Sequence, residues 1–432
     1  MGWRDLFPFA RRPIGSLRPT AAPRNGVRIN EFLGTIEEKP IRSAPCFSEA
    51  GGKWFRLPFF WSELEPNPPV AGKHDYRFHI YDGRLAWAER FGIKIIGILM
   101  IPPLWTDWRA KETGALAAES EKAFYDYVEA CARRYEGRVA TWEVLNEVNW
   151  EEFYTPPDIY ARLLRRSHEI IKKSDPRARV AMAGLAPAET GYLEDVWQHY
   201  RGKGHLFADE FSLHPFCMPF APEHSYREIN PITGRTARFG NFVENIETFS
   251  KALRQGGAKG ELWVGEIGWT TTPLYGGAVP EQTQAWYVIR MIVLALATQK
   301  ISKIIWAWTF RDYPFEYWKF WGNTGLVRLD HTPKPAYLAW KNLYEFLRDA
   351  NYLGEHNSKG IFCYEFARGD EGLAVAWSRG EGSILEFKAP DRGGAQWSDW
   401  QGRAMGKAKP GAPVKLSLTE SPIFLRFPPT QS

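Results

Sequence analysis

The hydrophobic pattern of this chain switches back and forth between two periods. From residue 27 to 312, short β-rich runs alternate with longer stretches whose apolar residues recur at helical spacing. Several short runs are almost continuously apolar, IKIIGILMI and KIIWAWTF among them, which is the pattern of parallel strands buried on both faces. Strands are predicted over 27–34, 54–60, 94–101, 141–146, 179–184, 210–214, 262–267 and 303–308. Helices are predicted between them: EKAFYDYVEACARRY before the fourth strand, PPDIYARLLRRSHEIIKKSDP after it with Pro at both ends, and TQAWYVIRMIVLALATQ before the eighth. Eight β-then-α units in order predict an α/β fold of the (β/α)₈, or TIM, barrel type. An open doubly wound sheet is the alternative, but no G-x-G-x-x-G turn supports a dinucleotide fold.

After a closing helix over 335–347 the pattern changes. GIFCYEF, GLAVAWS, SILEFK, AQWSDW and SPIFLRF are short runs separated by Gly, Pro and Asp, which predicts a small C-terminal antiparallel β-sandwich. The expected organisation is therefore a barrel over 26–348 and a sandwich over 349–432. The first 25 residues are either a tail or a segment packed on the sandwich.

Composition narrows the function classes. The formal net charge is +5, but the 55 basic and 50 acidic residues are interleaved, so no nucleic-acid partner is expected. No stretch approaches the ~20 apolar residues of a membrane helix. The N-terminal segment carries Arg and Pro without an uninterrupted apolar core, a poor secretory signal. The reading therefore leans to a cytoplasmic protein over a secreted one whose signal has been removed. Cys46, Cys131, Cys217 and Cys363 lie far apart with no C-x-x-C pair, so reduced thiols are expected rather than a zinc site or a disulfide framework. The aromatic fraction, 15% with 20 Trp, fits both a large core and a protein that stacks flat rings on sugar faces.

In a (β/α)₈ barrel the catalytic groups stand at the carboxyl ends of the strands. The fourth strand ends WEVLNEVNW, placing Asn146 and Glu147 at its tip, and the seventh ends LWVGEIGW, placing Glu266 there. Two carboxyl groups facing each other across the barrel mouth can flank one sugar, which is what hydrolysis of a glycosidic bond requires.

These motifs resemble those of a clan A glycoside hydrolase, of the family 39 and family 5 types. The resemblance rests on WEVLNEVN, GEIGW, RLPFFWSELEP after the second strand, FSLHPF on the sixth and GLVRLDHTPKPAYLAW after the eighth, and runs over most of 27–345. It implies Glu147 as general acid/base and Glu266 as nucleophile of a retaining β-glycosidase. It further implies Asn146 on the sugar 2-hydroxyl, Arg56 beside the nucleophile, and Trp308 as the aromatic floor of the subsite. Two departures bear on substrate recognition: Glu31 stands at the expected end of strand one where many relatives carry His, and LNEVN replaces the common WNEP.

Other candidates keep two readings. His214 is either a neighbour of the sugar or nucleophile or a core histidine. Glu143 shares strand parity with Glu147 and is expected to pair with a base inside the barrel. Glu63 and Glu65 either bind sugar hydroxyls or belong to the rim. Trp105, Trp108, Trp150, Tyr154 and Trp269 crowd the strand ends, as core residues or as sugar-stacking walls. No cofactor and no metal is expected, since no acidic or His cluster has ligand spacing along the chain. The expected partner is a glycoside, oligosaccharide or polysaccharide. The competing readings are a carbohydrate-binding barrel without turnover and a metal-dependent hydrolase on the same fold. The 214–241 loop is expected to decide between a closed pocket and an open cleft.

Overall fold

The computed structural model describes residues 26–428 except 38–39, 109–113, 201–205, 231, 233, 273–275, 314–319, 359, 381 and 392. Eight parallel strands close into a barrel: β1 (Leu33–Ile36), β2 (Trp54–Phe60), β3 (Lys94–Met100), β4 (Thr141–Val144), β5 (Arg179–Leu185), β6 (Glu210–Leu213), β9 (Glu261–Ile267) and β10 (Ile301–Trp306). Around the ring they run β1-β10-β9-β6-β5-β4-β3-β2. The apolar runs do what parallel strands demand. In β3 every residue after Lys94 is buried, and Ile96 joins Ile36, Ala181, Trp263 and Ile305 in one cluster of the interior.

The helices that follow the strands are α1 (Pro40–Glu49), α2 (Trp61–Leu64), α3 (His79–Arg90), α4 (Ala118–Arg134), α5 (Pro157–Ser174), α6 (Thr190–Gln198) and α7 (Phe242–Gln255). Helix α4 buries Ala123, Phe124, Tyr127, Val128 and Cys131 on one stripe, the helical period seen in the sequence. Helix α7 begins at a capping box, Asn241 and Glu244 each satisfying the other's backbone N–H. Between β6 and α7 the chain forms an antiparallel hairpin, β7 (Tyr226–Ile229) with β8 (Thr236–Gly240), where the sequence reading expects only a loop.

The chain divides into two compact units that are discontinuous in sequence. One holds Glu31–Pro280 and Lys300–Thr332, and with them the whole barrel. The other holds residues 26–30, Glu281–Gln299 and everything described from Pro333 onward. Helices α8 (Glu281–Thr298) and α9 (Pro335–Leu347), which the barrel pattern assigns to the first unit, thus group with the C-terminal strands β11 (Asn351–Glu355), β12 (Ile361–Arg368), β13 (Glu371–Ser378), β14 (Ser383–Lys388), β15 (Ala395–Asp399), β16 (Ala404–Ala408), β17 (Pro413–Leu418) and β18 (Ile423–Phe427). The reason is visible in α9, where Phe346 stacks on Phe424 of β18 at 4.5 Å and lies under the Arg426 guanidinium. A six-stranded sheet and the β14–β17 pair enclose a core of Ala374, Leu385, Phe387, Leu416 and Leu425. In β14 and β17 buried and exposed residues alternate, as in a sheet with one wet face.

Candidate active site

Strands β4 and β9 stand three places apart on the closed ring of eight, so groups at their carboxyl ends converge over the barrel mouth. Arg56, fully buried on β2, organises them. Its Nε and Nη2 donate to both oxygens of Glu143 at 2.7 and 2.9 Å. Nη1 donates to Glu266 Oε1 at 2.6 Å, and Nη2 also reaches Asn146 Oδ1 at 2.6 Å. Glu143 accepts a further bond from the Gly184 N–H at 2.8 Å, so the parity argument that sends it inward to a base holds. A bidentate guanidinium–carboxylate pair fixes the guanidinium plane, and with it the direction of the remaining N–H groups. Burial works against the cation, but Glu143 and Glu266 hold Arg56 above its ordinary pKa.

Glu147 lies three residues beyond β4 on a turn in which Leu145 and Glu147 both have positive φ, 66° and 47°. Neither is glycine, and each such residue costs roughly 1–3 kcal/mol, which the surrounding structure must offset. His214, immediately after β6, is fully buried, and its Nδ1 lies 2.7 Å from Glu147 Oε1 and 4.0 Å from Glu266 Oε1. The ring fits only because two glycines face it: a Cβ on Gly184 would stand 2.0 Å from Nε2, and one on Gly265 2.7 Å. Burial pushes the His214 imidazole down to about 4, so it is neutral near pH 7. A neutral ring with its proton on Nδ1 donates to Glu147 Oε1. Burial pushes the Glu147 carboxyl up to about 7, while Arg56 opposes this and Glu152 adds to it. Glu266 is also raised by burial, with the Arg56 guanidinium pulling the other way.

One ligand-type atom from each of Glu147, His214 and Glu266 falls within 4.8 Å of the other two. Spacing along the chain does not reveal this cluster, because its members come from three strands. The pair that a cation would need is already served, Glu266 by Arg56 and Glu147 by His214. A second cation there would face the guanidinium across a few ångströms of buried space.

Above these groups opens a cavity of about 1090 Å³, lined by Arg56, Asn146, Glu147 and Glu266 on its floor. Trp308, two residues beyond β10, forms part of the wall. It stacks on Phe216 at 5.1 Å with the rings 6° from parallel and meets Trp321 at 3.9 Å. Trp150 and Phe153 add aromatic surface, and Tyr226 and Arg227 bring the hairpin to the rim. Phe216 and Tyr226 are absent from the sequence candidates, although Phe216 sits inside the FSLHPF motif.

Three candidates stand elsewhere. Glu31 precedes β1 rather than ending it, since the strand begins at Leu33; its carboxylate is exposed and pairs with Lys94 at 2.8 Å, at the opposite end of the strand from the cavity. Trp269 is fully buried, its indole N–H donating to Phe220 O at 2.9 Å, and does not line the cavity. Trp105 packs edge-on against Trp61 and donates to Glu65 O, outside the cavity lining. Glu63 and Glu65 take rim roles, Glu63 on Arg84 and Tyr81, Glu65 on Trp61 and His74. Of the further aromatic stretch RDYPFEYWKFWGN (311–323), which the sequence also offers as sugar-stacking surface, residues 314–319 lie outside the described residues. Among the described residues none of the four cysteines is in a disulfide. Among the described residues no helix is long and apolar enough to cross a membrane.

No family model matches the sequence, and no curated protein does. Solved structures do match. A family 39 glycoside hydrolase from Bacteroides cellulosilyticus is 22% identical with a TM-score of 0.73, over 93% of this chain and 81% of that one. A monomeric β-xylosidase from Caulobacter crescentus is 15% identical with a TM-score of 0.67, over 95% and 98% of the two chains. A family 30 endoxylanase from Clostridium papyrosolvens is 12% identical with a TM-score of 0.62, over 93% and 98%. At such identities the likeness is one of fold. The chain has the barrel-and-sandwich fold of the clan A glycoside hydrolases of families 39 and 30.

Proposed function

We propose that this protein is a retaining glycosidase acting on β-linked glycosides or polysaccharides, with Glu266 as nucleophile and Glu147 as general acid/base. The observation that carries the reading is the separation of the two carboxyl groups, an oxygen of each lying within 4.8 Å of the other. Retaining enzymes hold the pair ~5–5.5 Å apart so that the nucleophile touches the anomeric carbon, whereas inverting enzymes leave ~6.5–9.5 Å for a water.

In the first step a Glu266 oxygen bonds to the anomeric carbon as the bond to the leaving oxygen breaks, and the Glu147 proton passes to that oxygen. In the second step Glu147, now a carboxylate, takes a proton from water, whose oxygen displaces Glu266. The roles match the surroundings. Burial pushes the Glu147 carboxyl up to about 7, which suits a proton donor, and Glu266 is tied to Arg56, which favours its ionised form. With its proton on Nδ1, His214 would occupy Oε1 of Glu147 and leave Oε2 to carry the mobile proton. With Oδ1 of Asn146 taken by Arg56, its amide N–H groups are what a sugar hydroxyl would meet.

The fold neighbours named for xylosidase and xylanase activity make aryl β-xylosides the first substrates to test. NMR of the first-formed sugar should show the β anomer appearing before mutarotation. Initial release of the α anomer from a β-glycoside means inversion and defeats the double displacement.

Trp308 should supply the stacking face. Trp308→Ala is expected to weaken transition-state binding by ~1–3 kcal/mol, read as kcat/KM, with the melting temperature little changed. Unaltered kcat/KM would remove Trp308 from the binding surface.

A further inference from the structure

The turn that carries Glu147 is held from outside. Two residues beyond Glu147, the fully buried Asn149 accepts at Oδ1 from the Ala186 N–H at 3.0 Å and donates from Nδ2 to Pro187 O at 3.3 Å and Glu189 Oε2 at 3.4 Å. The fully buried Asn230, at the end of β7, donates from Nδ2 to Asn149 O at 2.9 Å and to Glu189 Oε2 at 2.6 Å. Its Oδ1 accepts from the Ile232 N–H at 2.9 Å, and its backbone closes the hairpin turn through Arg235 O and Gly234 N, both at 2.9 Å. Glu189, 1% exposed, is the shared acceptor at the centre.

Three loops that are remote in sequence therefore meet on one buried carboxylate: the turn after β4, the loop after β5 and the hairpin after β6. A buried carboxylate is tolerated only where donors converge on it, and these two amides use their donors and acceptors in one mutual arrangement. Asn149, Glu189 and Asn230 themselves do not line the cavity, although Ala186 and Pro187, which bond Asn149, do. The cluster stands next to the one residue whose positive φ and exact heading toward the sugar both need support.

We propose that Asn149, Glu189 and Asn230 are positioning residues for Glu147, which makes the β7–β8 hairpin part of the proton-delivery geometry as well as a cavity wall. The proposal rests on the reading of Glu147 as acid/base. Its physical content is that proton transfer to the leaving oxygen is sensitive to small displacements, a shift of ~1 Å lowering a rate by about 10²-fold, whereas attack by Glu266, fixed through Arg56, is untouched.

The test compares phenyl and dinitrophenyl β-xylosides, because the poor leaving group needs the proton and the good one does not. In Asn230→Ala, kcat/KM for the phenyl substrate should fall by about 10- to 100-fold while the dinitrophenyl value stays within about threefold. A general loosening of the fold lowers both in proportion, and equal losses, or none, overturn the proposal. If Asn230→Ala does not fold, as judged by its melting transition, Glu189→Gln decides: it keeps shape and one oxygen acceptor, and a smaller split of the same sign is expected, its absence overturning the proposal. Glu147→Ala runs alongside. A large split there with none in the knot variants removes the knot and keeps the acid/base; no split in Glu147→Ala removes both.

Discussion

Glu266→Ala should lower kcat by about 10⁴-fold or more, on good and poor leaving groups alike, because without a nucleophile neither can form the glycosyl-enzyme. That factor corresponds to about 5.5 kcal/mol of transition-state stabilisation. The variant should remain folded, since alanine relieves a buried carboxylate and leaves Arg56 its bidentate hold on Glu143. The vacated space beside the anomeric carbon then suits a small anion next to the Arg56 guanidinium. Added azide should restore turnover of dinitrophenyl β-glycosides and yield the α-glycosyl azide, one displacement giving one inversion. Formation of the β-azide, or undiminished hydrolysis, would place the nucleophile elsewhere.

The strands that build this site were readable because parallel strands buried on both faces leave long apolar runs; β2 begins and ends where the pattern of WFRLPFF does. Glu147 and Glu266 were readable for a related reason, as polar residues that interrupt such runs at the carboxyl end. The same logic misplaced Glu31. VRINEFLG is apolar enough to be a strand throughout, but Ile29–Glu31 forms a 3₁₀ turn and the barrel edge is entered only at Leu33. An apolar run does not state where pairing begins. Aromatic residues at strand ends misled in another way, because an indole serves a core as well as it serves a sugar. Trp269 is fully buried with its N–H on the Phe220 carbonyl, whereas Trp308 lines the cavity. The hairpin had a signal, two β-rich stretches around NPITG, that was overlooked inside a long loop. Asn149, Glu189 and Asn230 had none, because nothing along the chain relates the three loops they join.

The acid/base leaves a sharper signature in pH than in overall rate. With the Glu147 carboxyl pushed up to about 7, its protonated fraction dominates below that pH and is lost above it. Wild-type kcat/KM on a phenyl β-glycoside should therefore decline above pH ~7, tenfold per pH unit once the carboxyl is fully ionised. His214, neutral above about 4, does not titrate in that window and cannot produce the limb. At the acid side activity should fall as Glu266 protonates, and since the two carboxyl groups lie within a few ångströms the two limbs belong to the pair. In Glu147→Ala the descending limb should vanish. Dinitrophenyl glycosides should still form the glycosyl-enzyme at close to the wild-type rate, while phenyl glycosides lose about 10²- to 10⁴-fold. Deglycosylation then becomes limiting, because no base is left to activate water. Azide needs no base, so it should accelerate turnover and give the β-glycosyl azide, two displacements restoring the starting configuration. A descending limb that persists in Glu147→Ala would assign the proton donor to another group, and equal losses on both leaving groups would show that the residue acts in something other than proton transfer.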